Sequence, residues 1–140
     1  MDGLTHFDES DIIVGPGSKE LIYLTMNVLE GKVILLSPAW PSYFPQAKLA
    51  SKEVLTIHRK YENNWKLTKN QLSEELAKNK IPPKSLLVFT NPDNPSMYYF
   101  SRDFRACPVI QSNGSKLTYT FYEIGIFNLF LERPRDQGTN

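Results

Sequence analysis

Along this chain the spacing of apolar residues switches between the period of a strand and the period of a helix. "DIIVG" is a short β-branched run that stops at Gly15-Pro16-Gly17. Ser18 is placed to act as N-cap for "KELIYLTMNVLEG", where Leu21, Ile22, Met26, Val28 and Leu29 recur at helical spacing. Gly31 closes that pattern, which predicts a helix from Ser18 to Glu30. "KVILLS" predicts a buried strand, "PAWPSYFPQAKLA" a proline-punctuated loop entering a helix, and "EVLTIH" another strand. Thr68 and Gln71 form a capping box ahead of "LSEELAKNK", a helix over Lys69 to Asn79 that ends before Pro82-Pro83.

"SLLVFT" is a continuous apolar run, the pattern of a strand covered on both faces of a parallel sheet. "NPDNPSMYYF" follows it, and two prolines in five residues end the strand near Thr90, because each lacks a backbone donor and fixes its own φ. Ser101 can cap a helix through "RDFRACPVIQ" to Asn113-Gly114, kinked or shortened by Pro108, and "KLTYTFY" is the last predicted strand. Strands alternating with helices, without repeats or linkers, give an α/β fold with a mostly parallel sheet and flanking helices. The four main strands share one sheet, which is expected to keep an exposed edge.

Composition narrows the classes. A chain of 140 residues, 41% apolar and 22% charged, suits one globular domain rather than a disordered or fibrous one. A net charge of +1 gives no strong field toward nucleic acid or an anionic membrane. Cys107 is the single cysteine, so no internal disulfide forms and a reducing compartment is the simpler expectation. "MDGLTHFDESD" has no apolar core of a secretory signal, and "IGIFNLFL" is far shorter than the roughly 20 residues of a membrane span. A cytoplasmic location is expected, with no membrane partner. His6 and His58 lie far apart without cysteine or histidine spacing, so no metal site is expected. Cys107 reads as a structural thiol, and "HRKYENNWK" as a solvated loop rather than a nucleic-acid contact.

Three strand ends carry candidate chemistry. Gly17-Ser18-Lys19 is a glycine turn feeding a helix N-terminus, where backbone N–H groups and the helix dipole favour an anion such as phosphate. An ordinary capped turn has the same residues. Trp40 in "SPAWPSY" follows the strand "VILLS" and offers a plate for a flat ligand, or else packs in the core. Asn94, held between Asp93 and Pro95, presents an amide with little entropy to lose, or else bonds its own backbone as a turn residue.

As a set, "GPGSKELIY", "VILLSPAWPSY", "NNWKLT" and "LLVFTNPDNPS" resemble the class I/II pyridoxal-phosphate-dependent aminotransferases, of the aspartate and tyrosine aminotransferase type, from about Asp11 to Gly125. The resemblance implies a partial large domain of the fold-type I transferases over residues 1–140, with a divergent, truncated C-terminal part and a tail from 126 to 140. It also implies pyridoxal 5'-phosphate as cofactor, an amino acid and a 2-oxo acid as substrates, and a homodimer as candidate assembly. Gly17, Ser18 and Lys19 fall on the cofactor-phosphate turn, Trp40 on the aromatic that stacks on the pyridine ring, and Asn94 on the residue that hydrogen-bonds the phenolic oxygen.

The resemblance also shows departures. Met97 stands where the family motif has glycine. Matching "YEIG" to the family's Asp-Glu-[Ile/Val]-Tyr puts Tyr122 on the aspartate that pairs with the ring nitrogen and Gly125 on the tyrosine that joins Asn94 at the phenolic oxygen. The family's Schiff-base lysine and substrate-carboxylate arginine fall beyond residue 140, and Lys116 in "NGSKL" precedes the aspartate position and matches neither. Two readings stand. One is an aminotransferase-family chain with weak or lost cofactor binding and no catalytic residue of its own. The other is a non-catalytic remnant or interaction protein that keeps only the fold.

Overall fold

The computed structural model describes residues 12–82, 84–100, 119–123 and 129–132. Their order is β1 (Ile12–Ile13), α1 (Ser18–Val28), β2 (Val33–Ser37), α2 (Tyr43–Leu49), β3 (Val54–His58), a 3-10 turn (Tyr61–Asn63), α3 (Lys69–Lys78), β4 (Leu86–Thr90), β5 (Tyr119–Glu123) and β6 (Leu129–Glu132). They build one sheet in the order β1-β6-β5-β4-β2-β3. β3, β2, β4 and β5 run parallel, whereas β6 is antiparallel to β5 and β1 to β6. The four strands read from the apolar pattern are therefore in one sheet. β6 lies in the tail where the sequence had suggested no strand. Ser101 to Lys116, including Cys107 and Pro108, lies outside the described residues, as do Gly125 and His6.

The apolar runs of β2 and β4 are continuous because the pleat sends alternate residues to two covered faces. Val33, Leu35, Leu86 and Val88 pack with Leu21, Ile22 and Met26 of α1 and with Tyr43 and Ala47 of α2. Ile34, Leu36 and Leu87 pack on the other face with Leu72 and Leu76 of α3, Ile81 and Phe100. The Thr68–Gln71 capping box starts α3: Thr68 Oγ1 accepts from the Gln71 N–H at 3.3 Å, and Gln71 Oε1 accepts from the Thr68 N–H at 3.0 Å.

α1 differs in detail from its sequence pattern. Its N-cap is Gly17, and Ser18 is the first helical residue. Extended backbone at Gly17 lets its carbonyl accept the first intrahelical bond, from the Leu21 N–H at 3.2 Å. The helix stops at Val28, which is 79% exposed and outside the buried stripe. Leu29 turns extended, donates its N–H to the Thr25 carbonyl, and so drops its side chain into the core.

Two backbone positions fix the connections. Gly31 donates to the Lys84 carbonyl at 3.1 Å, and the buried Ser85 hydroxyl accepts from Lys32 N–H at 3.0 Å, joining the entries to β2 and β4. A Cβ on Gly31 would stand 2.6 Å from the Lys84 carbonyl oxygen and the Ser85 nitrogen. After β4, Met97 donates to the Asp93 carbonyl at 2.7 Å with φ 57, the left-handed region that favours glycine.

Opposite effects follow at these positions. Gly31→Ala is expected to destabilise the fold by about 1–3 kcal/mol, since backbone on both sides must move. Met97→Gly is expected to stabilise it by about 1 kcal/mol through relief of the left-handed conformation, with little lost packing because Met97 is 67% exposed. Urea denaturation of both variants checks the pair.

Candidate functional site

The site grows from the point where β2 and β4 part. Their ladder ends at Leu35 opposite Val88, yet β2 stays paired with β3 through Ser37 opposite His58, and β4 with β5 through Thr90 opposite Glu123. The chain leaves β2 toward β3 on one side and leaves β4 toward β5 on the other. This reversal opens a crevice at the carboxyl ends of the strands, where ligands bind in open α/β sheets.

Ser18, Lys19, Trp40 and Asn94 meet in that crevice. Together with Ile22 and Tyr43 they line a recess of about 210 Å³, smaller than the roughly 300–1,000 Å³ typical of drug-sized ligand sites. Ile22 and Tyr43 are buried and make its floor. Gly17 lies beside the recess in a second, more apolar groove of about 500 Å³ with Pro16, Glu20 and Tyr23, and Lys19 borders both.

Each wall has a local cause. The first intrahelical bond of α1 belongs to Leu21, so the N–H groups of Lys19 and Glu20 lie ahead of it at the helix end. A Cβ on Gly17 would meet nothing within 4 Å, so the turn borders open space. Gln46 of α2 holds this end through Nε2 donating to the Lys19 carbonyl at 2.8 Å. Trp40 does not enter the core: it is 44% exposed, and its carbonyl accepts from the Tyr43 N–H at 3.2 Å as α2 begins.

The two asparagines of "NPDNP" divide the work. Asn91 Oδ1 accepts from the Phe100 N–H at 2.9 Å and closes the loop. The Asn94 N–H donates to Thr90 Oγ1 at 2.8 Å, while its carboxamide has no hydrogen-bond partner among the described residues and borders the recess. Asn94 is exposed, so its amide faces solvent at the rim of the recess instead of bonding its own backbone.

Sequence reasoning missed the pair that joins the loops. Arg59, read as part of a solvated loop, is buried at 6% exposure, and its Nη2 lies 2.6 Å from Asp93 Oδ2. Through Nη2 the same guanidinium also donates to the Pro38 carbonyl at 2.7 Å, and it lies over the Phe100 ring, which offsets part of the cost of leaving solvent, while its buried Nη1 finds no partner among the described residues. An arginine just past one strand and an acid in the loop after another were both visible, but nothing in a single sequence couples residues 34 apart. Tyr122 stands on β5 opposite Phe89. Lys116 and Gly125 fall outside the described residues.

Comparison with known proteins gives these residues a lineage. The aminotransferase class I and II family model matches residues 2–104. The aspartate aminotransferase of Bacillus sp. (strain YM-2) is 36% identical over 106 residues, which is 73% of this chain and 26% of that protein. That of Geobacillus stearothermophilus is 30% identical over 104 residues, 71% of this chain and 25% of that protein. The chain thus spans about a quarter of the length of the curated relatives it matches. Among solved structures, the Rhizobium meliloti aspartate aminotransferase superposes with TM-score 0.57 at 24% identity, covering 74% of this chain and 26% of that one. An Escherichia coli protein with methionine aminotransferase function gives 0.60 at 21%, covering 81% and 29%. These likenesses extend the sequence match to the fold, and with a family match across residues 2–104 the chain belongs to the class I and II aminotransferases.

Proposed function

We infer that this chain carries the phosphate end and one ring face of a pyridoxal 5'-phosphate pocket, and that the 140-residue polypeptide binds without transaminating. The observation that carries the reading is the convergence of Ser18, Lys19, Trp40 and Asn94 on one recess, with the Asn94 carboxamide unpartnered among the described residues. The donor set fits the group. Amides at the α1 N-terminus suit a phosphate, the half-exposed Trp40 indole suits an aromatic ring, and the Asn94 amide suits a phenolic oxygen. Open space beside Gly17 leaves room at the phosphate end.

When bound, pyridoxal phosphate supplies the electron sink that stabilises a carbanion at the amino-acid α-carbon. The chain's own residues bind and orient it. Helix-end amides and Lys19 would hold the phosphate, Trp40 would cover one ring face, and Asn94 Nδ2 would donate to the phenolic oxygen. Such contacts are alike in ground and transition states, so they give affinity without rate. Tyr122, at the family's aspartate position, carries no negative charge near neutral pH and does not keep a proton on the ring nitrogen. No lysine among these 140 residues matches the family's Schiff-base position, so this stretch of chain does not itself supply the nucleophile for amino-group transfer. Transfer between an amino acid and a 2-oxo acid is thus proposed for complete relatives, in which a second copy would complete the site.

A non-catalytic protein that keeps only the fold is the second reading, favoured by Tyr122, Gly125 and Met97 at three family positions. Pyridoxine 5'-phosphate, which has no aldehyde to react with surface lysines, separates the two when titrated against the chain by calorimetry. Binding is expected, much weaker for pyridoxine without phosphate, and weakened about tenfold or more in Asn94→Ala through loss of a hydrogen bond to a charged oxygen. Equal affinity for both compounds, or an unaffected Asn94→Ala, contradicts the cofactor reading. Tyr122→Asp is expected to tighten binding of the ring-protonated compound while wild type and variant both form no 2-oxo acid from pyridoxal phosphate and amino acids. Turnover, with borohydride fixing the cofactor on Lys116, would overturn the assignment of Lys116 as uninvolved.

A further inference from the structure

The backbone ladder stops short of the pocket it serves. Beyond Leu35 and Val88 no β2–β4 pairing joins the two loops that carry Trp40 and Asn94, although each strand remains paired with its outer neighbour. Arg59 occupies the gap. Its backbone N–H donates to the Ser37 carbonyl at 2.9 Å, and its Nε donates to the same carbonyl at 3.3 Å. Nη2 donates to the Pro38 carbonyl at 2.7 Å and to Asp93 Oδ2 at 2.6 Å. The guanidinium also lies 5.6 Å from the centroid of the Phe100 ring, at the far end of the Asn94 loop.

Asp93 is in turn the centre of its own loop. Ser96 Oγ donates to its carboxylate, its N–H donates to the Tyr98 carbonyl at 2.8 Å, and its carbonyl accepts from Met97 N–H. One guanidinium, through Nε and Nη2, thus grips the β2 exit two residues before Trp40 and the residue directly before Asn94. Both charged side chains are withdrawn from water, at 0% and 4% exposure. A buried ion pair is a poor source of net stability, because desolvation offsets much of the attraction. Geometry is what it fixes well.

We propose that Arg59 is a positioning residue for the ring end of this pocket, its contacts with Pro38 and Asp93 setting the separation of Trp40 from Asn94. The assignment rests on the pyridoxal-phosphate reading for its ligand, but the loop geometry that it predicts is measurable without one. Lysine keeps the charge but not the rigidly linked Nε and Nη2 donors, so Arg59→Lys distinguishes position from charge.

The test uses the 140-residue chain in a Trp65→Phe background, where Trp40 is the single indole. Arg59→Lys and Asp93→Asn are compared with Gly31→Ala, which loses stability at the entries to β2 and β4, the ends opposite the two loops. Three quantities are read on folded protein: thermal midpoint, acrylamide quenching of Trp40, and the pyridoxine 5'-phosphate dissociation constant. Arg59→Lys and Asp93→Asn are expected to raise Trp40 quenching about twofold without ligand and to weaken binding about tenfold. Gly31→Ala is expected to lower the midpoint and leave the other two readings at the parent value. If both loop variants lower the midpoint but keep parental quenching and affinity, Arg59 is structural only and the proposal falls. If the parent does not bind pyridoxine 5'-phosphate, the cofactor reading fails by itself, and Trp40 quenching still decides the clamp.

Discussion

The separation of β2 from β4 at their last residues is the constraint on which the site depends. Parallel strands placed side by side would continue their ladder, but here the connections leave in opposite directions, toward β3 and toward β5. The two carboxyl ends splay and a crevice opens at the edge of the core. Everything else in the site is arranged around that opening. The α1 N-terminus caps one end, the Trp40 loop and the proline-bound Asn94 loop make two walls, and Ile22 with Tyr43 closes the bottom. Because the floor belongs to the same packed layer that buries α1 and α2 against the sheet, the recess and the core are one piece of structure.

Burial supplies the rigidity and polar groups supply the selectivity. Leu86, Leu87 and Ile34 are almost fully buried, so the strand ends rest on a layer with no room to shift. On that base the chain sets a few polar groups whose backbone is already fixed: helix-end amides, an indole at a helix start, and an amide between two prolines. Little entropy remains to be lost there on binding, which favours a small ligand in a recess of modest volume. The same economy limits it. Groups fixed for binding a ground state do not, without a charged ring partner and a nucleophile, lower a barrier.

Local physics was legible in the sequence, and long-range pairing was not. The strands Val33–Ser37, Val54–His58 and Leu86–Thr90 and the capping box at Thr68 follow from apolar runs and spacing that act over a few residues. That Ser18, Lys19, Trp40 and Asn94 border one recess accords with the rule for parallel strand ends, whereas Gly17, expected with them, borders the neighbouring groove. Errors arose where tertiary packing overrode a local pattern. Val28 fits the helical stripe of α1 but faces solvent, because the chain turns extended at Leu29 to send that side chain into the core instead. β6 pairs antiparallel with β5 across residues 124–128, where Gly125 and Asn128 offered a hairpin signal that the mostly parallel reading passed over. Arg59 looks like one more charge in a polar loop until Asp93, 34 residues on, is brought beside it.

Chemical-shift mapping on the isotopically labelled chain tests the central claim most directly, since it reads the recess residue by residue. On addition of pyridoxine 5'-phosphate, the backbone amides of Ser18 and Lys19, the Trp40 indole N–H and the Asn94 side-chain amide are expected to shift together, with one common dissociation constant. Inorganic phosphate alone is expected to move Ser18 and Lys19 and leave Trp40 and Asn94 in place. Shifts confined to the open groove around Tyr23 and Leu49, or a response of Trp40 and Asn94 to different ligand concentrations, would contradict a single cofactor pocket at the parting of β2 and β4.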